Sequence, residues 1–219
     1  MAEESNTYPV LLKGELTAPP ARGWWLIKWL LGIPHYIILF FLWIAFIVVT
    51  VIAFFAILFT ARYPKGLFEF NAGVLRWTWR VGFYSYQALG TDKYPPFTLN
   101  PADYPADLEI PYPERLSRGL VLVKWWLLAI PHWIIVFVIF CGMRFGWEMG
   151  SKGSGAPSFE GAGLIITLVI IAAIALLFTG KYPREIFKLV VGLNRWAYRF
   201  CAYVGLMTDK YPPFRLWDD

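Results

Sequence analysis

Two histidines and two pairs of arginines hold most of the chemistry open to this chain. His35 and His132 each close an Ile-Pro-His triplet inside a long apolar run. Ionisable residues at membrane depth are functional suspects, and two equivalent imidazoles could ligate a haem or chlorin between helices. The competing reading is structural: each ring caps carbonyls freed by the neighbouring proline, or sits near lipid headgroups. Arg76 and Arg80 stand four residues apart, as do Arg195 and Arg199. That spacing is one helical turn, so each pair can present two planar guanidinium groups to one phosphate or carboxylate. Binding of lipid headgroups or another anion is the candidate role. Pairing with Asp92 and Asp209, or exposure to solvent, is the alternative.

The familiar enzyme signatures are missing. There is no Gly-x-Ser-x-Gly, no His-Glu-x-x-His, no phosphate-binding loop and no cysteine pair at metal spacing. The sequence therefore points to no catalytic residue, no metal site and no enzyme. Acidic residues are also absent from the apolar runs, against the expectation for a proton or ion path.

These residues sit in a chain built for lipid. It is 58% hydrophobic and 16% charged, where a soluble domain carries about a quarter charged residues. Between residues 23 and 60 only Lys28 and His35 can ionise, and between 161 and 180 nothing can. A hydrocarbon core of ~30 Å needs roughly 20 such residues per helix. The reading is an all-α integral membrane protein with several crossings. The acidic opening MAEESN is unlike the start of a signal peptide.

The elements come in duplicate. WLLGIPHYII (29–38) matches WLLAIPHWII (126–135), LFTARYP (58–64) matches LFTGKYP (177–183), and RWTWR (76–80) matches RWAYR (195–199). TDKYPPF occurs letter for letter at 91–97 and 208–214. Two modules follow one another, 1–100 and 101–219. The second holds an insert, GMRFGWEMGSKGSGAPSFEGAG, too polar for lipid. That module reads as a transmembrane hairpin with spans at about 119–142 and 161–180. The first is expected to be the same hairpin over about 23–61, with a tight turn within 36–50. No Gly or Pro marks that turn, so a single kinked span is the alternative. The loop 144–160 is neutral, whereas 62–99 and 181–219 are both net positive. The positive-inside rule then puts both termini in the cytoplasm. An even number of spans per module predicts a pseudo-two-fold axis roughly normal to the membrane.

After each hairpin comes a third helix, at 66–90 and 184–207. Each has one polar stripe, which carries the arginines, and reads as an amphipathic helix in the membrane interface. The Pro-Pro of TDKYPPF stops that helix. YPVLLKGEL (8–16) and YPADLEI (104–110) are strand-like, and a small cytoplasmic sheet drawn from both modules is expected. Cys141 and Cys201 imply no disulfide framework.

Taken together, the YP strand, KWLLGIPHYIILF, AFFAILFTARYPKGLFEFNAGVLRW and TDKYPPF resemble the bacterial membrane domain of unknown function 4389 family. Both copies match, over nearly all of the chain, and the insert departs from the usual short connection. The resemblance implies a bacterial membrane protein with no assigned activity. The functional expectation is a non-enzymatic membrane accessory or scaffold protein. It would contact anionic lipid headgroups and other membrane-protein subunits or a second copy of itself, without nucleic acid and without a cofactor. The alternative is a haem- or pigment-binding subunit using His35 and His132.

Overall fold

The structure is a computed structural model that describes residues 8–141 and 163–217. Most of the insert, including the predicted loop 144–160, lies outside the described residues. The chain order is strand β1 (Leu11–Gly14), helix α1 (Trp25–Thr60), helix α2 (Lys65–Tyr84), strand β2 (Ala106–Glu109), helix α3 (Arg118–Val123), a π-helical turn (Lys124–Leu128), and helices α4 (Ile130–Cys141), α5 (Leu164–Thr179) and α6 (Arg184–Val204).

The first module contains no hairpin. Helix α1 runs unbroken for 36 residues, and it is long and apolar enough to cross a membrane. The physical reason lies in residues 36–50, which lack any Gly, Pro or turn-forming polar cluster. A turn there would strand backbone groups that the helix pairs internally. The buried residues Lys28, Gly32, His35, Leu39, Phe46, Ala53 and Ile57 form a single stripe along the whole helix. Its other faces carry exposed Ile, Leu, Phe and Trp from Trp24 to Phe59. At ~1.5 Å per residue it measures about 54 Å.

The second module is not a hairpin either. A Cβ on Gly163, just before α5, would lie 2.2 Å from the Phe140 carbonyl near the end of α4. One Ala61 carbonyl, at the C-terminal end of α1, accepts the Leu116 N–H just before α3. At the other end of α1, the Arg22 guanidinium packs on Gly180, which ends α5. The two ends of α1 are a full helix length apart, so the start of α3 and the end of α5 must be too. The succession α3–α4–α5 is therefore extended and antiparallel to α1. It stops the same way, since Ala61 (φ 57°) and Gly180 (φ 68°) both take the left-handed conformation that ends a helix.

The predicted interfacial helices exist at nearly the expected places, as α2 and α6, but they form a middle layer. Helix α2 packs between α1 and β2, and α6 packs against α5 and β1. Most of their residues are buried, because both faces are covered. The outer layer is the expected sheet, with one strand from each module in antiparallel pairing.

Equivalent residues meet at its centre. Leu12 pairs with Leu108, flanked by Leu11 with Glu109 and Lys13 with Asp107. Below the sheet, the equivalent rings of Trp79 and Tyr198 touch with centroids 5.6 Å apart. A residue that meets its own equivalent lies on a two-fold, so the pseudo-symmetry axis runs through the sheet and between α2 and α6. Each strand crosses to the other module: the Tyr8 hydroxyl donates to the Lys210 carbonyl, and that of Tyr104 to the Lys93 carbonyl.

Candidate functional site

TDKYPPF is a clamp on the start of the long helix. The ammonium of Lys28 is 1% exposed, donates to the Thr91 carbonyl at 2.7 Å, and lies 2.8 Å from Asp92 Oδ1. Asp92 Oδ2 accepts the N–H of Ala21 at 2.6 Å, ahead of the helix. The Tyr84 ring covers the ammonium at 4.9 Å. The second copy repeats every contact. Lys124 donates to the Thr208 carbonyl at 2.7 Å and pairs with Asp209, Asp209 accepts the N–H of Ser117 at 2.6 Å, and Tyr203 covers the ammonium at 5.1 Å. A buried lysine needs such a set, since an unpaired charge there is very costly.

The same heptapeptide closes over the histidines. His35 is fully buried, with the Phe97 ring stacked at 3.9 Å and Tyr94 at 4.9 Å. The Trp77 indole N–H donates to His35 Nδ1 at 3.1 Å. Indole is a donor only, so Nδ1 must be the bare acceptor and the neutral ring carries its hydrogen on Nε2. Neither nitrogen then offers a lone pair to iron or magnesium. A ligating histidine has the opposite arrangement, with the distal nitrogen donating. His132 is also fully buried, beneath Phe214 at 4.5 Å, with Trp196 and Phe200 stacked on it and the Tyr211 hydroxyl 3.1 Å from Nδ1. The two histidines sit in separate aromatic boxes, one per module. The donor set of His35 does not suit a haem or chlorin ligand, and the Nε2 of each ring is buried without a hydrogen-bond partner.

The arginines do not form a lipid-facing stripe. Arg80 and Arg199 are fully buried. Arg76 donates to the carbonyls of Leu99 and Leu108, both at 2.9 Å. Arg80 donates to the Asn100 carbonyl at 2.9 Å and to Asp107 Oδ1 at 3.1 Å. Arg195 reaches the carbonyls of Leu12 at 3.4 Å and Leu216 at 3.3 Å. The guanidinium of Arg199 lies 5.2 Å over the Tyr8 ring. Burial, partly offset by Asp107, pulls the Arg76 guanidinium below its usual range. The polar stripe faces the strand of the other module, because each strand crosses over and hides it. Nor do Asp92 and Asp209 serve the arginines, since the lysines hold them.

One further feature repeats. Leu89 (φ 49°) and Leu206 (φ 61°), both buried, hold left-handed backbone just before each clamp. A leucine pays for that conformation in local strain, so the turn is kept by the packing around it. A cavity of about 380 Å³ lies between α1, α2 and the α4–α5 junction, lined by Tyr36, Leu39, Trp43, Val81, Ser85 and Gln87 among others.

Fold and clamps together define a duplicated, mostly helical module in which buried polar residues hold a long apolar helix to its own layer. The chain belongs to the family described as Domain of unknown function (DUF4389), which matches residues 23–98 and 161–215, a split consistent with the duplication. No curated protein and no solved structure matches it.

Proposed function

We propose that this chain is a non-enzymatic membrane accessory or scaffold protein of the bacterial cytoplasmic membrane. One observation carries the proposal: among the described residues, exposed large apolar side chains are concentrated on the long helices and the clamp segments, with Trp217 just beyond. Among the described residues, none of the exposed large hydrophobics belongs to α2, α6 or the strands. An apolar surface of that extent marks a membrane or protein contact. Along the long helices Lys28 and Lys124 are turned inward and paired within the clamps, and His35 and His132 are buried beneath them with Nδ1 engaged.

Contact with anionic headgroups passes in this proposal from the buried arginines to the helix ends. Arg22, Arg62, Arg118 and Lys181 are exposed there, at equivalent positions of the two modules. Both termini face the cytoplasm, where anionic lipid is attracted to such groups at about 1 kcal/mol per residue. The polar layer is left to bind other membrane subunits or a second copy. Flotation with vesicles tests the reading. The full chain should float with phosphatidylglycerol vesicles, and changing these four residues to Gln should weaken flotation without lowering the melting temperature. Unchanged flotation would remove the headgroup role, and failure of the unaltered chain to float would remove the membrane reading.

A further inference from the structure

The long helices are antiparallel, and a two-fold that reverses a rod must be perpendicular to it. The pseudo-symmetry axis therefore runs at right angles to α1, through the sheet layer. This geometry limits how the molecule can sit in lipid. Were α1 to stand across the bilayer, the axis would lie in the membrane plane. The sheet on that axis would sit at mid-depth, with exposed Lys13, Glu15 and Glu109 in hydrocarbon and strand edges facing lipid. Charge and unpaired backbone at that depth are strongly disfavoured. The helix is also too long, at about 54 Å against a core of ~30 Å, and its outer faces are apolar from end to end.

We infer that the protein does not cross the membrane: α1 and α3–α5 lie side by side in the plane of one leaflet, with the two-fold along the membrane normal and the sheet in water. Three layers then match three environments. The apolar helices face acyl chains, α2 and α6 form a buried middle, and the charged sheet faces solvent. Arg22, Arg62, Arg118 and Lys181 fall at one level around the apolar layer, where headgroups lie. Exposed Tyr94, Phe97, Tyr211 and Phe214 on the clamps stand beside that layer, as interfacial aromatics do. An amphipathic layer of this kind is held by apolar burial together with attraction to anionic lipid. The inference rests on the membrane reading above.

Sidedness of labelling tests it on the full chain carrying Cys141→Ser and Cys201→Ser. Single cysteines are placed by Gly23→Cys and Gly66→Cys, one at each end of α1, where an added Cβ meets nothing within 4 Å. A membrane-impermeant maleimide is applied to inside-out and right-side-out vesicles. The in-plane arrangement has both sites react from the same side, with the same ratio between the two vesicle orientations. Reaction of one site from each side would overturn it. Depth gives a second readout. A bimane label on Phe41→Cys, at the exposed middle of α1, should be quenched most by lipids brominated near the headgroup. Strongest quenching by lipids brominated at the chain end would also overturn the inference. If the chain instead stays in the aqueous fraction as a dimer and does not float with phosphatidylethanolamine and phosphatidylglycerol vesicles, the membrane reading fails first, and the apolar layer belongs to a second copy.

Discussion

The two long helices reach the same clamp from different sequences. In α1, His35 follows Lys28 by seven positions; in the second copy, His132 follows Lys124 by eight. Lys124 still finds Thr208 and Asp209, and His132 still lies under Phe214. The π-helical turn at Lys124–Leu128 makes this possible. An extra residue in an α-helix would rotate everything beyond it by about 100°, and a π turn takes up one residue without that rotation. The tolerance of the fold is thus for residues in the helix, and its intolerance is for the angle between lysine and histidine. The same contrast holds further on, where α4 and α5 meet at Phe140 and Gly163 although a long insert separates them in sequence.

Deleting one residue from each copy is the most forceful way to break this comparison. Removal of Trp29 turns His35 away from Lys28 by about 100°, so either the buried ion pair or the histidine box must come apart. The loss should be on the order of 4 kcal/mol. Removal of Trp125 gives the second copy the spacing of the first and should cost under about 1 kcal/mol, as the π turn reverts to α. Thermal unfolding in mild detergent measures both. Equal losses would show that the π turn is not the device that keeps the register.

Lysine substitutions sharpen the same point. Lys28→Met leaves Asp92 without its cation and the Thr91 carbonyl without its donor, and Lys124→Met does the same to Asp209 and Thr208. Each should cost on the order of 3 kcal/mol, less than a fully enclosed pair because both carboxylates are partly exposed. The two losses should agree within experimental error, and a large difference would mean that one clamp is dispensable. Asp107→Asn should follow at about 1–2 kcal/mol, since Arg80 keeps its carbonyl acceptors while losing its charge partner. The strand position opposite Arg199 is Leu11, so a Leu11→Ala change should not reproduce that loss through charge; a matching salt-dependent loss would break the assignment.

Much of this architecture was legible in the residues. The apolar runs, the duplication, the two strand segments and the places of α2 and α6 follow from periodicity and repetition. The hairpin turn did not exist, and the absence of any turn residue between 36 and 50 was the available signal. The direction of the arginines was not legible, because a 3.6-residue polar stripe identifies a polar face without saying what covers it. Here the cover is a strand from the other module, Leu108 over Arg76 and Leu12 over Arg195. The partners of Asp92 and Asp209 were misassigned for a related reason. Lys28 lies 63 residues from Thr91 along the chain, and only the recurrence of both partners, as Lys124 and as Thr208-Asp209, marks the pair.

Alkaline pH separates the modules more gently. Tyr63 and Tyr182 stand at equivalent positions after the long helices. Burial pushes the Tyr63 phenol up to about 12, with Asn71 and Thr50 opposing, and raises Tyr182 further. A raised folded pKa means that the folded state holds the phenolic proton more tightly than the unfolded chain. That stabilisation is whole below the ordinary value of 10.0 and is lost as the pH climbs past it towards 12. Melting temperature should hold from pH 7 to 9 and fall above 10. Tyr182→Phe should flatten that fall more than Tyr63→Phe does, because Asn71 already favours the Tyr63 anion. The opposite order would contradict the burial difference.

The smallest effect should come from Cys201 on α6, whose equivalent on α2 is Gly82. Burial pushes its thiol up to about 11, from an ordinary 9.0. The thiolate is the reactive form, so at pH 8 about a thousandth of the folded molecules carry it, against roughly a tenth for an ordinary thiol. Alkylation of the native protein by N-ethylmaleimide should accordingly be about a hundredfold slower at Cys201 than in the denatured chain, with peptide mapping separating it from Cys141. Raising the pH from 8 to 9 should speed it about tenfold, well below the pH at which the tyrosines begin to destabilise the fold. A Gly82→Cys variant supplies the comparison between modules. A Cβ there would lie 2.1 Å from Gln87 Oε1, so that side chain must move aside, and Gly82 lines the cavity beside α2. Its thiol should therefore react faster than Cys201 under the same conditions. Equal rates at the two positions would show that the cavity beside α2 gives no more access than the packed face of α6.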